Sequence, residues 1–555
     1  MNQKAEFTLS RLDFTHCSGA KKMRFSSSKI TACLALIVLL LTSAGLASSM
    51  PLPSEQATAS ITAADLRKHL SFLASKELGG RYTLSPSNVV AARYLATQLE
   101  YYGYKGAAAD GSYFQKVPLA FRRVNQQGSS LTIDSAGSRR AFKYGDDFLQ
   151  ESQVASEATG KLAFVGYGIS SPENHHDDYS EVDARGKIVV EVSGVPDSLK
   201  GMKIPDTESG SEAAASHGAA GEIIITPPQF ILIWSQLKGS MGEEQPSLPP
   251  KPGRAAPPAF PSVFAGPELI KELAVLIGKD LAFLQAPGGK DVTPKALEAS
   301  ALVSVKAELK EAPAAQNVVG VLEGSDPALK DQYVAFSAHY DHLKTGEGGE
   351  VYTGADDDGS GTASVLEIAQ AFTVSRPRRS ILIIFHTGEE IGLLGSEYNT
   401  DYSPVVPLDK IVADFNIDMV GRSRPDDDAD PRDARLTDKN SLYIIGADRL
   451  STELNRISEQ TDQDTQRMRF DYTYNDDSNP ERFYYRSDHY NYAKHGIPII
   501  FYFTGVHADY HQPTDTVDKI DFNKMERIDR LVFATGWRVA NLDHRLVVDK
   551  KPSVN

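Results

Sequence analysis

Cysteine is almost missing from this chain: 555 residues contain two, Cys17 and Cys33. Both precede the expected cut of a leader, so the mature chain would have none. That excludes disulfides as a source of stability, and thiolates as nucleophile or metal ligand. Basic charge is also in short supply. Lys and Arg number 58 against 73 Asp and Glu, a formal net charge of −15. This balance offers no general attraction for nucleic acid or an anionic membrane. No internal repeat recurs at a fixed period, and no cysteine occupies a lipobox position. The apolar run from Ile30 to Leu41 is too short to span a bilayer comfortably. Lys21, Lys22, Arg24 and Lys29 precede it and small residues follow, so residues 1–47 read as a secretory leader cut after Ala47. The expectation is an exported protein, periplasmic or extracellular, with no stable membrane insertion after cleavage.

The 41% of hydrophobic residues is ample for a core, and the length suggests more than one domain. Asn88 to Tyr102 carries Ala92, Leu95, Ala96 and Leu99 on one face, with Gly103 at the stop, which predicts a packing helix. Between about 155 and 305 short apolar runs, 162–168, 187–192 and 222–226, read as strands around a small-residue helix at 212–218. The proline- and glycine-rich stretch 227–261 reads as a long surface loop. From about 315 the pattern alternates. Runs 333–338, 380–386, 411–417, 442–445 and 497–503 read as strands, separated by helices such as 363–372 and 452–461. This predicts an α/β sheet with helices on both faces.

Residues able to bind metal follow these strands. His339-Tyr-Asp341-His342 comes after the first, and Asp356-Asp357-Asp358 sits in a glycine-rich loop beyond. Glu389-Glu390, Asp418 and Tyr510-His511 follow the others. Ligands of open α/β sheets bind outside the carboxyl ends of strands, so these groups are expected on one rim. Each piece alone fits an ordinary solvated turn or surface pair. As a set, two histidines and several carboxylates suit a zinc site of nitrogen and oxygen donors.

The ordered set AHYDH, GADDDGSG, TGEEIGLLGS, NIDMVG, RSDHYNYAKHGIP and DYHQPTDT resembles the co-catalytic zinc exopeptidase family. That family includes bacterial leucyl aminopeptidases, vacuolar aminopeptidase Y and glutamate carboxypeptidase II. The resemblance covers roughly 60–110 and 315–540. It implies a zinc-exopeptidase mixed sheet flanked by helices, discontinuous over 60–150 and 310–548. Residues 155–305, with FVGYG and HGAAGEIII, resemble an inserted β-rich protease-associated domain.

Carried over position by position, the resemblance implies two Zn2+ per chain. His339 and Asp418 would hold one, Glu390 and His511 the other, and Asp357 would bridge them. Asp341 would hydrogen-bond His339. Glu389 would be the general base for water activated by the metal pair, and Tyr510 the oxyanion donor. His342, His386, His489, His495 and His507 are expected not to be ligands. The implied reaction is hydrolysis of the N-terminal bond of peptide substrates. The alternatives are a carboxypeptidase or dipeptidase of the glutamate carboxypeptidase type, a non-catalytic receptor-like member, or a glutaminyl-cyclase-like member. A carboxypeptidase would need arginines to read a substrate carboxylate, with Arg422, Arg424 and Arg486 as candidates. Oligomeric state is not readable from the sequence.

Overall fold

The computed structural model describes residues 50–552, apart from 151, 153, 203, 252–258, 291, 477 and 478. The expected leader and both cysteines lie outside the described residues. No helix among the described residues is long and apolar enough to cross a membrane.

A nine-stranded sheet forms the centre. Its strands are β1 (Lys105–Gly106), β2 (Phe114–Val117), β3 (Ala315–Leu322), β4 (Tyr333–His339) and β5 (Ser380–His386). They continue with β6 (Ile411–Ile417), β7 (Ser441–Ile445), β8 (Arg469–Asp471) and β9 (Ile499–Phe503). The order is β1-β3-β5-β4-β6-β9-β7-β8, with β2 also paired to β3. Strands β5, β4, β6 and β9 run parallel, while β3 and β7 pair antiparallel at their flanks. The fold class is therefore mixed α/β, as the alternating pattern predicts.

The parallel strands are buried throughout except at Tyr333, the first residue of β4, as sheets covered on both faces require. On one face Phe336 of β4 meets Phe372 and Phe415 at ring distances of 5.2 and 5.1 Å. Phe372 comes from the helix Gly361–Val374 and packs on Phe533 of the helix Phe522–Asn541. Burying one such ring contributes about 1.5–3 kcal/mol. Gly536 allows the close approach of the second helix: a Cβ there would stand 2.3 Å from Phe336 Cζ. The opposite face carries Ala335, Leu382, Phe501 and Tyr492 in a separate apolar cluster.

A second sheet of eight strands has its own core, from Val124 to Val305. Strands 156–164, 188–192, 221–225 and 262–265 run parallel within it. It also takes in Ser130–Ser135 and Ser138–Lys143, which pair with each other and, through 130–135, with Lys295–Val305. An expected boundary near 150 therefore falls inside this sheet. The physical reason is long-range pairing: Ser130–Ser135 alternates as a strand would in either sheet, and its partner is Lys295–Val305. The stretch 227–261 is not all loop: Pro228–Leu232 and Trp234–Gly242 are short helices, and Gln245–Ser247 is a strand. Pro228 stands at the first helical position, where its missing N–H costs nothing.

Candidate metal centre

The carboxyl ends of β4, β5, β6 and β9 open on one rim because these strands are parallel and nearly in register. His339 at the end of β4 pairs with His386 at the end of β5. The loop after β4 carries Asp357, the loop after β5 Glu389 and Glu390, the turn after β6 Asp418, and the segment after β9 His511. Thus the chain's parallel topology, rather than any local sequence, gathers the donors.

Asp357 lies between two groups of side chains. Its Oδ1 is 3.3 Å from His339 Nε2, and its Oδ2 is 3.1 Å from His511 Nε2. Asp418 Oδ2 is 3.6 Å from His339 Nε2. Glu390 Oε2 is 3.2 Å from His511 Nε2. His342, expected to stay out of the site, is in it: its Nδ1 is 2.6 Å from Glu390 Oε1. Two sets of donors can each converge on one ion, His339 with Asp357 and Asp418, and His342 with Asp357 and Glu390. No pattern in the sequence separates His342 from its neighbours, since its role depends on how the loop after β4 turns back.

The electrostatics call for a cation. Burial by itself would lower the His511 imidazole, but the Asp357 and Glu390 carboxylates override it and push it up to about 10. Burial would raise Asp357, yet contacts with His339 and His511 hold it well below the usual range. Asp357 Oδ2 and Glu390 Oε1 are buried without a hydrogen-bond donor. Carboxylates in low dielectric need a counter-charge, and orphaned oxygens here fit a divalent ion. His and carboxylate donors without thiolate suit zinc, cobalt or manganese.

Supporting contacts fix these ligands. His339 Nδ1 donates to the backbone carbonyl of Asp341 at 3.1 Å, while the Asp341 carboxylate lies 3.8 Å from that nitrogen. The carboxylate instead accepts from Thr83 Oγ1 at 2.7 Å and from the Glu389 amide at 3.2 Å. Ser487 Oγ donates to Asp418 Oδ2 at 2.7 Å. Asp358 accepts the amides of His339, Gly361 and Met419, tying three loops together. Arg81 is buried and donates to the carbonyls of Leu73, Tyr340, Thr353 and Gly354. Met419 and His511 both adopt φ of 56°, a region L residues rarely enter and one that recurs at functional sites.

Glu389 Oε2 lies 3.8 Å from His339 Nε2, on the Asp418 side. Burial raises the Glu389 carboxyl well above its usual range; His339 opposes this and Glu390, Asp418 and Asp488 add to it. Beside Glu389 opens a pocket walled by Met419, Phe483, Phe501, Phe503 and Val506, with Tyr510 and Arg486 at its edge. The Tyr510 ring stacks on His511 at 3.9 Å. Of the other histidines, His386 meets the Tyr492 hydroxyl, His489 the Tyr484 carbonyl, His495 Asp401 and His507 Asp356.

The model of Peptidase family M28 matches residues 317–536, the segment that carries every one of these donors. Over this region the chain is similar to peptidase family M28. The probable leucine aminopeptidase 2 of Aspergillus oryzae is 38% identical over 19% of this chain and 19% of its own length. Aminopeptidase YwaD of Bacillus subtilis is 25% identical over 42% of this chain and 47% of its own. The chain thus spans less than half the length of these curated relatives. Among solved structures, the aminopeptidase from Aneurinibacillus sp. strain AM-1 is 20% identical, covers 90% of this chain and 99% of its own, and has a TM-score of 0.48.

Proposed function

We propose that the protein is a two-zinc aminopeptidase that removes N-terminal residues with apolar side chains. The observation that carries this is Asp357, with one oxygen turned to the His339–Asp418 group and the other to the Glu390–His511 group. A zinc pair held there would lower the pKa of water to about 7 and polarise the scissile carbonyl.

The chain's own residues supply the rest. Glu389 takes the proton of the attacking water and passes it to the departing amine. The Asp341 carboxylate holds the Glu389 amide and so aims the side chain. The Tyr510 hydroxyl donates to the oxyanion of the tetrahedral intermediate. The apolar wall of Met419, Phe483, Phe501, Phe503 and Val506 takes the side chain of the first residue.

Two of the three arginines that a carboxypeptidase could use are engaged away from the pocket, and only Arg486 stands at its edge. Arg422 donates to Asp509 at 2.9 Å, and Arg424 donates to the Asp428 carbonyl. Arg486 lies over the Phe483 ring at 4.6 Å and 3.7 Å from Glu481. Carboxylates around the pocket instead favour a substrate's free ammonium. The curated relatives named as aminopeptidases support the same end of the peptide. In this reading the second sheet, with strands from Ser130 to Val305, is a protease-associated module that limits access to the site, and the protein acts after export.

The experiment is a mass-spectrometric digest with zinc, using one peptide as free, N-acetylated and C-amidated forms. Stepwise loss from the N-terminus, blocked by acetylation alone, is expected. Loss from the other end, blocked by amidation alone, would overturn the assignment.

A further inference from the structure

A third imidazole faces the Glu390–His511 half of the centre. His342 is 0% exposed. Its Nδ1 lies 2.6 Å from Glu390 Oε1 and 3.7 Å from Asp357 Oδ2. These carboxylates are the ones His511 Nε2 approaches, at 3.2 and 3.1 Å. His342 Nε2 has no hydrogen-bond partner among the described residues, and its Nδ1 meets only carboxylate oxygens, so that a proton or a cation must lie between them. Buried histidines are normally satisfied by donors and acceptors. His386 and His489 each satisfy one ring nitrogen, through Tyr492 and Tyr484. His342 does not, and its ring is held in place. Gly354 packs so closely that a Cβ there would stand 2.5 Å from the His342 Cγ. Gly354 also has φ of +52°, which favours glycine.

We propose that His342 ligates metal through Nδ1, as an additional imidazole on the Glu390–His511 half. The inference rests on the two-zinc reading above. It makes the two halves of the centre unlike. In one half His342, Glu390 and the shared Asp357 converge on one point and His511 approaches the same two carboxylates, so that the half offers up to four protein donors, the complement of a closed zinc site. The other has His339, Asp418 and the shared Asp357, three donors, which leaves a position open. Glu389 lies on the open side, 3.8 Å from His339 Nε2. The closed half therefore retains its ion and anchors Asp357, while the open half receives water and substrate.

The test titrates zinc into the chelator-stripped full chain, as wild type and as His342→Ala, with mass-spectrometric metal analysis and chelator competition. Wild type is expected to bind two equivalents of unequal affinity. His342→Ala is expected to loosen the tighter one by at least about 10- to 100-fold, the range that follows loss of even a supporting outer partner. Equal affinities in variant and wild type for both equivalents would overturn the assignment. X-ray absorption on wild type carrying a single zinc equivalent gives an answer even if the variant does not fold. Two imidazoles on that first zinc support the proposal, and one overturns it. A wild-type chain that takes up fewer than two equivalents would instead sink the two-zinc reading, a result visible before any variant is made.

Discussion

The Asp515 carboxylate holds the Asp357 backbone: Asp515 Oδ2 accepts the Asp357 amide at 3.2 Å, across 158 positions of sequence. The same oxygen accepts the Asp356 amide at 2.9 Å. The segment carrying His511 is thereby locked to the loop carrying the shared carboxylate. Asp515→Ala should weaken zinc binding by about 10- to 100-fold, as loss of outer support does. It should also lower stability by about 1–3 kcal/mol, because two buried amides lose their acceptor. Asp515→Asn, which keeps an acceptor oxygen, should recover much of both. Zinc competition and thermal melting of the variants check this.

Glu389 faces the pocket without belonging to either donor set. Glu389→Ala should retain the zinc content of wild type and lose turnover by about 10²- to 10⁴-fold. Metal analysis beside a peptide-cleavage assay reads both. Unchanged turnover would remove Glu389 from the role of base.

Asp357 is common to both donor sets. Asp357→Ala should lower zinc stoichiometry below that of wild type, since each half loses a ligand. Full occupancy of both positions in the variant would exclude bridging.

Arg81 is buried against four carbonyls and accounts for the join between residues 73–81 and the loop at 353–354. Arg81→Met should destabilise the fold by about 3 kcal/mol or more, because the carbonyls it satisfied stay buried without a donor. Urea unfolding measures the change. A shift within about 0.5 kcal/mol would show the cage to be unimportant.

The second sheet holds a buried carboxyl pair, Glu191 and Glu222, on adjacent parallel strands. Burial pushes Glu222 up to about 7, and burial with Glu222 beside it raises Glu191 as well. A carboxyl whose folded pKa is raised binds its proton more tightly folded than unfolded. Its contribution to stability therefore falls as pH rises from the unfolded value of 4.5 towards 7, and then stays low. Glu222→Gln, which cannot ionise, should gain stability relative to wild type across that window. Melting temperatures of both proteins at pH 5 and pH 8 check this, with the larger gain expected at pH 8.

Much of the central sheet was legible in the sequence because its signal is local. Ser380–His386 holds an unbroken apolar run between Ser380 and His386, Ile411–Ile417 is apolar apart from Asp414 and Asn416, and the structure gives both strands those limits. The place of the hairpin 130–143 was not legible, for the opposite reason. Its alternation predicts a strand without naming a partner, and the partner is Lys295–Val305, far along the chain.

The sequence alone determined which chemistry was possible: no cysteine beyond Cys33, histidines and carboxylates at strand ends, and a glycine-rich loop between them. Those features follow from residue type and short-range order. The tertiary structure alone decided that Asp357 faces two groups, that His342 turns inward, and that Asp341 serves Glu389 through its carboxylate and His339 through its carbonyl. It alone placed Asp515 beneath the Asp356–Asp357 backbone. The physical reason is that hydrogen-bond direction and burial depend on packing between distant segments, which residue type and spacing do not encode.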